Sequence, residues 1–240
     1  MSRVTFVTGG TRGIGEGICT ALRDKGFTVV SNYVGNDANA REFAERTGIE
    51  CYKFDVSDFE SCAYYLDAIK EKYGVIEILV NNAGVTRDRK FSNMSLEEWN
   101  TVLNINLGGA FNTCRLLFPN MIEARYGRII NISSVNGLAG QYGQANYTAA
   151  KSGLIGFTKT LALEGARYGI TANVIAPGYV ETDMLRSVPE KVMEKIISNI
   201  PVGRLGQVDE IARGVCFLAE EAAGFITGST LSINGGQYLQ

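Results

Sequence analysis

The chain has 240 residues, no histidine, 45% hydrophobic and 20% charged residues, and a formal net charge of −2. That near-neutral balance excludes a general attraction to nucleic acid or an anionic membrane surface, and no run of about 20 apolar residues spans a bilayer. The five cysteines (19, 51, 62, 114 and 216) include no C-x-x-C; with histidine missing, the usual zinc ligand sets are excluded, no metal is expected, and the thiols read as reduced and cytosolic.

The chain enters a strand pattern almost at once, "VTFVT" at 4–8, which leaves no room for a signal peptide. "TGGTRGIGEG" follows and places Gly9, Gly13 and Gly15 between that strand and a helix predicted over 13–25. Glycine lets a backbone turn sharply and approach a phosphate with no Cβ in the way, and a helix N-terminus offers free N–H groups to it. The spacing is T-G-x-x-x-G-x-G, and its place after strand one points to a dinucleotide. The second strand, 28–32, runs into "SNY" with no acid before Asp37. An acid there would bind a ribose 2′-hydroxyl and repel a 2′-phosphate. Arg12, inside the loop, suits that phosphate instead, so NADP(H) is the expected cofactor.

Further strands are predicted over 51–54, 77–81, 128–133, 171–176 and 230–234, and helices over 38–47, 58–73, 95–124, 146–167, 189–198 and 208–219. The strands are nearly continuous apolar runs, as in a sheet covered on both faces. Alternation of strand and helix over the whole length predicts a doubly wound α/β fold with a mostly seven-stranded parallel sheet. No linker, repeat or low-complexity tract divides the chain, so one domain is expected over 1–240. The segment 177–206 runs long and reads as a lid or substrate wall inserted at the carboxyl edge of the sheet.

Tyr147 and Lys151, in "NYTAAK", are four residues apart and share a helix face. A free tyrosine titrates near pH 10, but a nearby ammonium favours the phenolate. Such a pair could move protons in a chain without histidine. The spacing alone is common in helices. Three further stretches stand at strand ends, where ligands bind open α/β sheets: "NNAG" at 81–84, "RIINISS" at 128–134, and "APG" at 176–178.

Taken together, Thr8-Gly9-x-x-x-Gly13-x-Gly15, Asp55, Asn81-Asn82-Ala83-Gly84, Asn106, Ser134, Tyr147, Lys151, Pro177-Gly178 and Thr182 resemble the short-chain dehydrogenase/reductase family, in order and over nearly the whole chain. The resemblance implies a Rossmann fold and a nicotinamide-dependent reduction. By it, Tyr147 gives a proton to a carbonyl oxygen, Ser134 holds that oxygen, and Lys151 lowers the Tyr147 pKa and binds the nicotinamide ribose. Asn106 anchors a water that links Lys151 to solvent. Gly9, Thr11, Arg12, Gly13, Ile14 and Gly15 form the cofactor loop; Asp55 and Val56 border the adenine. Asn82, Gly84, Pro177, Gly178, Val180 and Thr182 line the rest of the cofactor. Ser133 competes with Ser134, and Asn104 with Asn106; the thirteen-residue spacing to Tyr147 favours Ser134, and an Asn directly before Leu favours Asn106.

Within the family, "GQANYTAAKSGLIGFTKTLALE" (143–164), "NVIAPGYVETDM" (173–184) and "ITGSTLSINGG" (226–236) resemble the 3-oxoacyl reductases. "SSVNGLAGQYGQANY" (133–147) leans toward the branch acting on acetoacetyl-CoA rather than on an acyl carrier protein. That resemblance makes Asp88, Gln141, Tyr142, Gln144 and Tyr179 the substrate candidates. A carrier-protein partner would favour Arg directly before Gly169; Tyr168 stands there, with Arg167 one place earlier and Arg125 still available. A homotetramer and an R hydroxy product are implied by the same resemblance.

Overall fold

The fold is described by a computed structural model covering residues 2–182 and 190–239. Seven strands form one all-parallel sheet: β1 (Val4–Val7), β2 (Thr28–Tyr33), β3 (Glu50–Lys53), β4 (Ile76–Asn81), β5 (Gly127–Ile132), β6 (Ile170–Pro177) and β7 (Thr230–Ile233), in the order β3-β2-β1-β4-β5-β6-β7. The chain runs outward from β1 to β3, then returns to β4 and runs the other way. The crevice between the carboxyl ends of β1 and β4 is therefore the switch point, where an open sheet of this kind takes a ligand.

Side chains alternate between the two faces of each strand. Val7, Ile78, Val80, Ile130, Ile132 and Ile175 pack with α1 (Gly13–Asp24), α2 (Asp37–Thr47) and, further along the chain, helix Val208–Ala219. Phe6, Leu79, Ile129 and Ala172 pack on the other face with α3 (Phe59–Tyr73) and helices Gly109–Ala124 and Ala145–Gly165. Ile76 and Ile78 fall on opposite faces because the β1–β4 register slips by one residue between Val4 and Thr5. No helix among the described residues is long and apolar enough to cross a membrane.

Three sequence expectations need correction. The helix expected over 95–124 is α4 (Leu96–Leu103), a π-turn (Asn104–Gly108) and α5 (Gly109–Ala124). In that turn the Gly109 N–H reaches back to the Asn104 carbonyl, so one extra residue is wound into the ladder. A short helix, α6 (Val135–Ala139), stands where only a loop was expected, capped by Ser134. The helix expected over 146–167 is α7 (Ala145–Gly165), which tightens into a 3₁₀ turn over Ala166–Tyr168 ahead of Gly169 at φ +73°.

In the segment 177–206, Val180 pairs with Gly206, α8 (Glu190–Ser198) follows, and Ile200 is buried. Residue 189, at the head of the expected helix, and the rest of 183–189 lie outside the described residues. The last helix, α9 (Val208–Ala219), leads to β7.

Candidate active site

The glycine loop is locked to its neighbours by hydrogen bonds. Gly9 and Gly13 take left-handed φ of +65° and +52°, which a side chain would resist. A Cβ on Gly15 would lie 2.3 Å from the Gly9 carbonyl oxygen and 2.5 Å from Asn82 Nδ2. Asn82 Nδ2 donates to the Thr8 and Gly9 carbonyls at 3.0 and 3.1 Å. Thr8 Oγ1 accepts from the N–H groups of Asn82 and Ala83, both at 2.9 Å. On the other side Gly9 N–H donates to Asn32 Oδ1 at 3.0 Å. Thr11 is buried, its carbonyl accepting from Asn39 Nδ2, and Ile14 packs against the core. α1 begins at Gly13 with no side-chain cap, so its first N–H groups and positive dipole end are left for an anion. Bare backbone, free amides and a helix N-terminus at a switch point fit a pyrophosphate.

The far wall comes from β6. Pro177 ends that strand, and the Gly178 N–H donates to the Ile233 carbonyl at 3.0 Å. A Cβ on Gly178 would lie 2.9 Å from Asn234 Cα. Val180 is buried, and Thr182 lies against the glycine loop, its Cγ2 3.6 Å from where a Gly13 Cβ would stand. At the other end Asp55 Oδ1 accepts from the Ser57 N–H and hydroxyl, both at 2.8 Å. Val56 is buried beside it, its carbonyl accepting from Asn112 Nδ2. Asp37, the first acid after β2, pairs with Lys53 at 2.8 Å. Arg12 is exposed and has no carboxylate partner among the described residues.

Ser134, Tyr147 and Lys151 meet beyond the end of β5. Ser134 Oγ accepts from the Asn136 N–H at 3.1 Å and lies near enough to the Tyr147 phenol to favour its ionised form. Ser133 is differently engaged: it is buried, and its hydroxyl donates to the Lys151 carbonyl at 2.8 Å. Lys151 is 3% exposed. Its Nζ donates to the Ile132 carbonyl at 2.7 Å and lies 5.7 Å from the centre of the Tyr147 ring. Burial without an acid partner pushes the ammonium pKa down to about 8.

Tyr147 departs from expectation. Its pKa is raised, because burial of the phenol outweighs the opposing pull of Ser134, and nearby Asp88 and Tyr179 add to the rise. Lys151 is not among the groups that shift it. The ammonium is aimed at a main-chain carbonyl rather than at the phenol oxygen.

Asn106 sits in the π-turn, 2% exposed, while Asn104 is exposed. The Asn106 amide accepts from the Val85 N–H at 2.8 Å and donates to the Val85 carbonyl at 3.0 Å. It thereby fixes the turn at Gly84, where a Cβ would lie 3.5 Å from Lys151 Nζ.

Of the residues expected to meet the substrate, Asp88 Oδ2 accepts from Gln144 Nε2 at 2.8 Å, and Tyr179 borders a cavity of about 110 Å³ with Ile200, Val202 and Ile233. Gln141 and Tyr142 stand exposed on the turn before α7, and their side chains form no hydrogen bond among the described residues. Sequence reasoning missed three asparagines. Asn32 holds the glycine loop. Asn136 links Ser134 to Gln144, its Nδ2 donating to Gln144 Oε1 at 2.9 Å. Asn146, fully buried, donates to the Arg87 and Glu98 carbonyls at 3.0 and 3.1 Å and accepts from the Tyr147 N–H. Only Asn146 carried a signal, as a polar residue directly before the tyrosine in a helix start.

Comparison with known proteins agrees with this geometry. Residues 9–237 match a family model described as enoyl-(acyl carrier protein) reductase. Over the full length of both chains the protein is 55% identical to an acetoacetyl-CoA reductase of Shinella zoogloeoides and 54% identical to one of Rhizobium meliloti. It is 43% identical to the 3-oxoacyl-[acyl-carrier-protein] reductase FabG of Escherichia coli, across 99% of this chain and 98% of that one. A family match over nearly the whole chain, on a switch-point crevice built for a nicotinamide dinucleotide, means that the protein belongs to the short-chain dehydrogenase/reductase family.

Proposed function

We propose that the chain reduces the 3-keto group of acetoacetyl-CoA, or of another short 3-oxoacyl-CoA, to the (R)-3-hydroxyacyl-CoA, with NADPH as cofactor. The observation that carries the reading is the meeting of Ser134, Tyr147 and Lys151 at the end of β5, beside the glycine loop. When bound, the nicotinamide supplies the hydride. Tyr147, held protonated by its surroundings, donates its phenol proton to the substrate's keto oxygen. Ser134 donates a hydrogen bond to the same oxygen and stabilises the charge that develops there. Lys151, its ammonium held by the Ile132 carbonyl and 5.7 Å from the centre of the Tyr147 ring, binds the nicotinamide ribose. Asn106 keeps the Gly84–Val85 turn in place, and we assign to it the water that returns a proton from solvent. Proton transfer of this kind is worth roughly 10²–10⁴-fold in rate.

NADPH rather than NADH is supported by the exposed Arg12 and by Asp37, whose carboxylate is engaged by Lys53. CoA as the thioester carrier is supported by relatives named acetoacetyl-CoA reductase at 55% and 54% identity, against 43% for the carrier-protein reductase. Tyr179, Asp88 and Gln144 border the acyl group, and the described part of the segment 177–206 walls it. Five free thiols suit a reducing cytosol. Exposed Phe111, Leu163 and Phe225 suit subunit contacts of a homotetramer. Initial rates of NADPH oxidation with acetoacetyl-CoA and with acetoacetyl carrier protein, at equal concentration, test the assignment. Faster turnover of the CoA ester is expected; preference for the carrier protein would move the enzyme to fatty acid elongation.

A further inference from the structure

The three loops that surround the Tyr147 phenol are joined by one chain of hydrogen bonds. Asp88 lies in the loop after β4. Its Oδ2 accepts from Gln144 Nε2 at 2.8 Å, at the N-terminus of α7. Gln144 Oε1 accepts from Asn136 Nδ2 at 2.9 Å, in the first turn of α6. The Asn136 N–H donates to Ser134 Oγ at 3.1 Å, and Ser134 stands beside the phenol.

The direction of its side-chain bonds is set at one end. An ionised carboxylate only accepts, so Gln144 must turn its NH₂ toward Asp88 and its oxygen toward Asn136. Asn136 then presents its NH₂ to Gln144, while its main-chain N–H occupies one lone pair of Ser134 Oγ. A main-chain N–H can only donate, so the Ser134 hydroxyl hydrogen stays free for another oxygen whichever way the side chains turn, and the side-chain bonds act by holding α6 in place. An amide pair without the carboxylate could turn either way.

We infer that Asp88, Gln144 and Asn136 form a positioning relay that fixes α6 against α7 and so holds Ser134 Oγ in place beside the phenol. The relay rests on the reading of Ser134 and Tyr147 given above. None of its members need touch the cofactor, and Asn136 need not touch the substrate.

Steady-state kinetics of Asp88→Ala, Asp88→Asn, Asn136→Ala, Gln144→Ala and the Asp88→Ala/Asn136→Ala pair test it, with NADPH affinity and unfolding measured for each. Asn136→Ala is expected to lower kcat about tenfold with NADPH affinity unchanged. The double variant should lose about tenfold rather than a hundredfold, because both changes break the same chain. Asp88→Asn, which keeps an acceptor for Gln144, should recover most of the loss of Asp88→Ala. Multiplying losses, an effect confined to KM, or wild-type kcat in Asn136→Ala would overturn the relay. Should Asn136→Ala fail to fold, Gln144→Ala takes its place in the cycle under the same criteria. Tyr147→Phe serves as the control: wild-type turnover there would overturn the underlying site assignment, whereas an inactive Tyr147→Phe beside unaffected relay variants would remove the relay alone.

Discussion

Lys151→Met tests the electrostatics of the site in the absence of any ligand. The wild-type ammonium is 3% exposed, and its pKa falls from 10.5 to about 8 on burial. The native state therefore binds this proton less tightly than the unfolded chain does. Between about pH 8 and 10.5 the unfolded chain holds the extra proton, so native stability rises with pH across that window and is flat on either side of it. The shift corresponds to a cost of about 3 kcal/mol at pH 7, of which about 2.5 kcal/mol is relieved by pH 10. Methionine keeps an unbranched stem of similar volume but has no charge to desolvate. It also leaves the Ile132 carbonyl without its donor, at about 1–3 kcal/mol, so the two proteins should lie close together in stability at pH 7. The decisive quantity is the double difference. Urea unfolding of both proteins at pH 7 and pH 10, at one protomer concentration, should show the wild type gaining about 2.5 kcal/mol relative to the variant. A double difference near zero would mean that Lys151 keeps its ordinary pKa in the fold and that the account of its burial is wrong.

Three further substitutions probe other parts of the site. Tyr147→Phe should retain NADPH binding, read by fluorescence titration, and lose at least about 100-fold in turnover as the general acid disappears. Arg12→Ala should weaken NADPH about 10- to 100-fold, the worth of charge-assisted bonds to a phosphate, and leave NADH affinity nearly unchanged. A fall shared equally by both cofactors would refute the 2′-phosphate role. Gly10→Ala places a Cβ 2.2 Å from Ser31 Oγ and 2.5 Å from Cys19 Sγ, both fully buried. Overpacking of this kind costs about 1–3 kcal/mol, so its urea midpoint should drop clearly below wild type with little change in slope.

Much of this architecture was legible in the residues. Strands covered on both faces are apolar throughout, so "TANVIA" and "RIINIS" declared themselves without any partner in view. The glycines of the cofactor loop were legible because left-handed φ and close backbone approach admit little else. The π-turn was not, because apolar residues continue on both sides of it and read as one long helix. α6 has five residues, too few to show a period. The choice between Ser133 and Ser134 turns on which hydroxyl faces a helix backbone and which faces a phenol, a matter of strand-end geometry. The four-residue spacing of Tyr147 and Lys151 did place them on one face. It could not reveal how deeply that face is buried, and burial decided the direction of both pKa shifts. Asn136 was invisible for a related reason: its partners are Gln144, at the head of a different helix, and the Ser134 hydroxyl, which its main-chain N–H reaches.

The π-turn at Asn104–Gly108 has a consequence for what changes the chain can tolerate. One added residue rotates everything after it by about 100° relative to a regular helix. α5 owes to that rotation the facing of Cys114, Leu117 and Met121 into the sheet. Deleting a single residue here would mend the helix locally, yet swing that apolar stripe sideways and turn Asn106 away from Val85. Substitutions can spread through this stretch one at a time, but its length is quantised.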